Sequence, residues 1–164
     1  MNADTITAAS AVVIALAALA VSIVQTRATL LHNRQSVRPL LQLRRLREYG
    51  GPEAGLKITN VGLGPAVITR SIVVLDGRAI GPWDLETVRS FTNGLPEKPH
   101  INTLTDGAVL AAGYGSYLIH LDSYDRKEHE WFWALLTKRL EIAFYYQSIY
   151  GDEDYLAVVR PFST

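Results

Sequence analysis

The sequence predicts a mainly β protein, in which an N-terminal transmembrane α-helix leads into an immunoglobulin-like antiparallel β-sandwich with one or two helical insertions. Three observations predict it. Ile6 to Val24 runs for nineteen residues without a charge. Pro39 then marks a change to β-branched runs separated by Gly, Pro, Asn and Asp. Beyond it, seven or eight short strands fit into roughly 120 residues, the density expected of a sandwich. A chain of 164 residues holds one ordinary domain besides such a span. Its 48% hydrophobic and 20% charged residues exclude a disordered tail, a collagen-like chain and a histone-like polycation. Without cysteine, thiolate metal sites, disulfides and cysteine nucleophiles are excluded as well.

The first element is the span, residues 6–24, after a short external N-terminus, residues 1–5. As a helix it measures about 28 Å, close to the ~30 Å hydrocarbon core of a bilayer. Nine of its residues are Ile, Val or Leu and seven are Ala, so insertion is favourable by a few kcal/mol on a per-residue transfer scale. A cleaved signal peptide is disfavoured, because no Lys or Arg precedes Arg27 and the apolar run is long.

The net charge of zero conceals a split. Residues 1–47 carry six arginines against Asp4 alone, net +5, and the remainder of the chain is net −5. The cations Arg27, Arg34 and Arg38 follow the span, so the positive-inside rule places the N-terminus outside and the rest in the cytoplasm of a bacterial inner membrane. The same arginines suit an anionic leaflet. Residues 25–38 extend the helix as a basic juxtamembrane segment that Pro39 ends. Read at spacings of four and three, the span presents Ala8, Ala11, Ala15, Ala18 and Ser22 on one face. Small residues in such a stripe let two helices approach closely and self-associate. An Ala-rich span also yields such stripes by chance, and both readings stand.

The body, residues 39–164, reads strand by strand. Leu40–Leu46 is a first strand, and Gly50-Gly51-Pro52 a turn. Gly55–Asn60 alternates Leu56 and Ile58 with Lys57 and Thr59, the mark of a half-buried strand. Val61–Ala66 is a glycine-rich connection. Val67–Leu75 is strongly β-branched, and Asp76-Gly77 is a favoured hairpin dipeptide leading to Arg78–Ile80. Asp84–Phe91 is a short amphipathic helix. Gly81–Leu104 is too long to lack structure of its own. Ala108–Leu110, a turn at Ala112–Gly115, and Ser116–Leu121 follow. Asp125–Lys138 reads as a helix opened by a capping box of Asp125 and Glu128. Leu140–Ser148 and Tyr155–Arg160 close the chain around a turn at Gly151-Asp152.

This arrangement resembles uncharacterised bacterial single-span membrane proteins with a small cytoplasmic β-sandwich. The resemblance is carried by the anchor, by His32-Asn33-Arg34 and Ser36-Val37-Arg38-Pro39, by Asn60-Val61-Gly62-Leu63-Gly64-Pro65-Ala66, and by Ser148-Ile149-Tyr150-Gly151. It implies an architecture. It implies no catalytic role for any residue.

Sites of chemistry are sparse. Gly62-x-Gly64 lacks the Gly-Lys-Ser/Thr ending of a phosphate loop, and Pro65 removes a donor. His32, His100, His120 and His129 include no pair at metal-ligand spacing, so no metal is expected. His120 beside Asp122 suggests a structural hydrogen bond. Asp152, Glu153 and Asp154 lack a calcium-loop pattern. No nucleophile motif occurs, and the arginines lack the interleaved aromatics of a nucleic-acid surface, so neither an enzyme nor a nucleic-acid partner is expected. Trp131-Phe132-Trp133 stands out. Phe132, Leu135 and Leu136 form a face for the core, leaving Trp131 and Trp133 as a candidate partner surface or as further core. The expectation is a membrane-tethered cytoplasmic binding or scaffold domain with an unknown protein partner, no cofactor, and self-association through its anchor. The alternative is a membrane-active protein, pore-forming or effector, acting through associated spans.

Overall fold

The structure, a computed structural model, describes residues 2–47, 53–151 and 153–162. The chain divides into two units, Met1–Ser36 and Val37–Thr164. The first is a single helix, α1 (Ala3–Ser36). Span and juxtamembrane segment are therefore one element, since nothing between them breaks a helix. It ends at Ser36 rather than at residue 38, because Pro39 pushes Arg38 to extended geometry. Thr7–Leu30, whose single charge is Arg27, is long and apolar enough to cross a membrane. Within it the Ser10 and Thr26 hydroxyls donate to the Thr7 and Ser22 carbonyls at 2.8 Å each, satisfying polar atoms inside the helix.

The second unit holds β1 (Leu41–Arg47), β2 (Ala54–Asn60), β3 (Ala66–Leu75), β4 (Arg78–Gly81), α2 (Leu85–Thr92), β5 (His100–Ile101), β6 (Val109–Leu110), β7 (Gly115–Leu121), α3 (Glu130–Ala134), β8 (Leu140–Ser148) and β9 (Asp154–Val159). A π-helical turn, Leu135–Arg139, joins α3 to β8. One antiparallel sheet runs β1-β2-β7-β5. The other runs β4-β3-β8-β9, with β6 also paired to β3. Both sheets supply one core, in which Leu56, Ile58 and Ile119 from the first meet Ile68, Val73, Ile142 and Phe144 from the second. The wholly buried Trp83 completes it, its indole N–H donating to the Asn102 carbonyl at 2.9 Å. Its backbone N–H donates to the Ser71 hydroxyl, so both polar ends are satisfied.

The strands follow the expected alternation with local departures. On β3 the inward set passes from Ala66 and Ile68 to Ser71 and Val73, because the register with β8 shifts between Ile68 and Arg70. The hairpin at Asp76-Gly77 has positive φ at both residues, 50° and 80°, as its tight turn requires. β5 lies within the long Gly81–Leu104 stretch. The expected turn at Gly50-Gly51-Pro52 lies outside the described residues, as does Asp152.

The helix expected over Asp125–Lys138 is a correction. Helix begins only at Glu130 and passes into the π turn at Leu135. Only half of the capping box of Asp125 and Glu128 forms. Asp125 Oδ1 accepts from the Glu128 amide at 3.1 Å, as such a box requires, and from the Lys127 amide at 2.7 Å, but the Asp125 N–H donates to His129 Nδ1 at 2.8 Å and not to Glu128. A histidine one residue further on thus takes the bond Glu128 was expected to take, and four residues are spent on a turn. Asp84 does cap α2, accepting from the Thr87 N–H at 2.7 Å.

The glycine-rich connection after β2 is organised by Asn60, which is fully buried. Its side-chain oxygen accepts from the Leu40 and Gly62 amides at 3.2 and 3.0 Å. Its amide nitrogen donates to the Gly64 and Leu110 carbonyls at 2.8 and 3.0 Å. Val61 and Leu63 N–H groups add bonds to the Leu40 and Arg38 carbonyls. Residues 37–40 are thereby strapped against the loop. A Cβ on Gly64 would collide with the Val37 carbonyl, and one on Gly62 with the backbone of Arg38 and Leu40. Two motifs far apart in sequence are one joint.

Candidate functional site

The joint defines one end of the β unit, where β1 and β3 begin and β2 and β8 finish. The opposite end, where β1 and β3 finish, gathers the polar side chains. Arg45 points inward there. Its guanidinium donates to the Leu136, Arg160 and Leu140 carbonyls at 2.5, 2.7 and 3.5 Å and lies 4.9 Å over the Phe162 ring. Burial lowers its pKa from the ordinary arginine value, and the three carbonyls offset the loss of water.

Two residues on, Arg47 lines an open cleft of about 680 Å³ with Tyr124, Arg126, Lys127, Glu130 and Trp133. The Arg47 guanidinium stacks 4.8 Å over the Trp133 ring, which turns a flexible cation into a positioned one. The Tyr124 hydroxyl is buried without a hydrogen-bond partner among the described residues. Behind the cleft His129 is fixed at both nitrogens. Nδ1 accepts from the Asp125 N–H, which assigns the proton to Nε2, and Nε2 donates to Glu97 at 3.1 Å. The two amides on Asp125 hold its carboxyl below the ordinary value. Three cations against the single Glu130 carboxylate favour an anionic visitor, and the aromatic walls offer it a flat apolar surface.

A second cluster sits on the same sheet as Arg45 and Arg47, at its β7–β5 edge. His100 and His120 face each other across β5 and β7, their rings stacked with centroids 5.2 Å apart. Both bond Asp122 through Nε2, at 2.9 and 3.1 Å. The expected His120–Asp122 bond is present. His100 was missed as its companion, because twenty residues separate the two histidines and only strand pairing unites them. Among the described residues no group of three or more His, Cys, Asp or Glu is placed to hold a metal.

The remaining residues singled out from sequence are dispersed. Ala8, Ala11, Ala15, Ala18 and Ser22 lie exposed along α1. Arg27 is exposed on the same helix. The Arg34 side chain lies outside the described residues. Arg38 stacks 4.7 Å over the Tyr155 ring on β9. Phe132, Leu135 and Leu136 are buried as expected. Trp131 and Trp133 are half-buried and pack against the core, Trp131 edge-on to Phe132 and Trp133 beneath Arg47. Gly62 spends its amide on Asn60, consistent with a connection and not a phosphate cradle. Of the acidic turn, Asp154 accepts from the Gln147 amide at 2.7 Å and Glu153 from the Tyr155 hydroxyl, which raises the pKa of that phenol.

The chain matches no family model and no curated protein.

Proposed function

We propose that this protein is a membrane-tethered binding or scaffold domain on the cytoplasmic face of a bacterial inner membrane, of the single-span kind its motifs resemble. The observation that carries the reading is Thr7–Leu30, 24 helical residues with exposed Val, Ile and Leu side chains around the helix. As a helix this stretch is about 36 Å long, enough to cross a ~30 Å hydrocarbon core with some tilt. The arginines after the apolar stretch support an external N-terminus. The two antiparallel sheets around one core support an immunoglobulin-like sandwich as the tethered domain.

Binding is supported by two surfaces. One is the cationic cleft with Arg47, Arg126 and Lys127, which suits an acidic partner. The other is the outer face of the β8–β9 pair, where Leu156 and Val158 are exposed beside Tyr145 and Ala143. A small-residue stripe on the span supports homo-oligomers. The test is sedimentation of the full chain with carbonate-washed membranes. Retention is expected, together with release when Leu16 and Leu19 are both replaced by Arg. A wild-type chain that stays in the supernatant defeats the tether.

A further inference from the structure

We propose that the end of the β unit where the chain enters it rests in the bilayer interface, with Leu40, Val61, Leu63, Tyr114, Ile149 and Tyr150 as its membrane-facing surface. The inference rests on the tether proposed above and specifies how the domain uses it. All six side chains are exposed, Leu63 at 77% and Ile149 at 56%. They come from four separate segments, yet the fold brings those segments to one end. The Val61 N–H donates to the Leu40 carbonyl and the Asn60 N–H to the Tyr114 carbonyl. Ala66, which follows the loop, pairs with Ser148, which opens the turn bearing Ile149 and Tyr150. The opposite end carries Arg47, Asp76, Asp122, Arg126, Lys127 and Arg139 instead.

Loops facing water are usually polar, so a contiguous apolar patch on loop tips needs a covering phase. The chain itself names the phase. Only six residues separate Leu30, the last of the apolar stretch, from Val37, the first of the domain. They reach roughly 10 Å as helix and at most about 25 Å fully extended, so this end cannot leave the vicinity of the interface. Tyrosine, apolar in body and polar at its tip, suits that layer. The rim is mixed in charge, with Arg38 against Tyr155 and Glu153 on the Tyr155 hydroxyl. Docking therefore works through apolar burial and is insensitive to salt.

Because the chain has no cysteine, single replacements Leu63→Cys, Ile149→Cys and Asp76→Cys can carry an environment-sensitive fluorophore on the full-length protein. The proteins are reconstituted in phosphatidylcholine–phosphatidylglycerol liposomes and recovered by flotation. Labels at 63 and 149 should be quenched by lipid-borne nitroxide and protected from aqueous iodide about threefold or more relative to 76, as expected for a depth of ~5–10 Å. Iodide access at 63 equal to that at 76 overturns the docking while leaving the tether intact. Protection of 63 from both quenchers shows a second copy or another protein on the patch, and also overturns it. Failure to float with the liposomes removes the tether reading, and the docking with it.

Discussion

Replacing Asn60 by Ala should loosen the joint at the chain's entry into the β unit and cost about 3–5 kcal/mol. The structure supplies the magnitude. Four hydrogen bonds of 2.8–3.2 Å end on this side chain. Two of their partners, the Gly64 and Leu110 carbonyls, are engaged in buried bonds, and stranding each costs about 1–3 kcal/mol. The Leu40 and Gly62 amides are part-buried and recover some hydration, so about 0.5–1.5 kcal/mol applies to each. The lower part of the combined range is expected, because a water in the vacated space restores some of these bonds. Asn60→Asp separates shape from chemistry: it keeps both acceptor bonds and turns the two donors into oxygens facing carbonyls. Its loss should be at least as large at neutral pH, and smaller in acid, where a protonated carboxyl regains one donor. The assay is urea unfolding of residues 37–164 followed by fluorescence, since all three tryptophans lie there. An Asn60→Ala midpoint within 1 kcal/mol of the parent (the size of a single ordinary hydrogen bond) would refute the reasoning.

Other perturbations probe other parts. Arg45→Ala strands the carbonyls of Leu136 and Arg160 and should cost about 1.5–3 kcal/mol, with Arg45→Lys recovering only part because one ammonium cannot span both; full recovery by Lys contradicts this. Arg47→Ala removes a half-exposed cation–π contact and should cost only about 0.5–1 kcal/mol in the same unfolding assay. The exposed Arg139 guanidinium holds the Asp76 carboxyl below its ordinary value. Stability from that pair is present above the unfolded carboxylate value and is lost as pH falls through the lower folded one. Asp76→Asn should therefore lower stability at neutral pH, flatten the acid limb of a stability–pH curve, and leave the shape of the curve above neutral pH unchanged. Ala15→Leu should weaken self-association of the span in a transmembrane reporter assay, and an unchanged signal argues against packing along the small face.

Local chemistry made much of the fold legible. The uncharged run, Pro39, the Asp76-Gly77 turn and the β-branched stretches each act through a few neighbouring residues, and α1, β3, β4 and β8 formed close to where they were expected. Long-range pairing was not legible. The partners of Asn60 lie as far as fifty residues away, so its role was hidden behind the glycines beside it. At the late start of α3, His129 and not Glu128 takes the Asp125 N–H, a choice that spacing alone does not decide. The cleft draws Arg47 from the first strand and Trp133 from the last helix. Trp133 was singled out by its unusual neighbours, whereas Arg47 counted only as one of the six arginines within residues 1–47.

The central claim is that the N-terminal helix crosses the membrane with the β unit on the arginine side. Single cysteines at Asn2 and Asp76 of the otherwise cysteine-free chain decide it on intact and permeabilised cells. An impermeant maleimide should label position 2 on intact cells and position 76 only after permeabilisation. Labelling of position 76 on intact cells, or protection of position 2, would contradict the account.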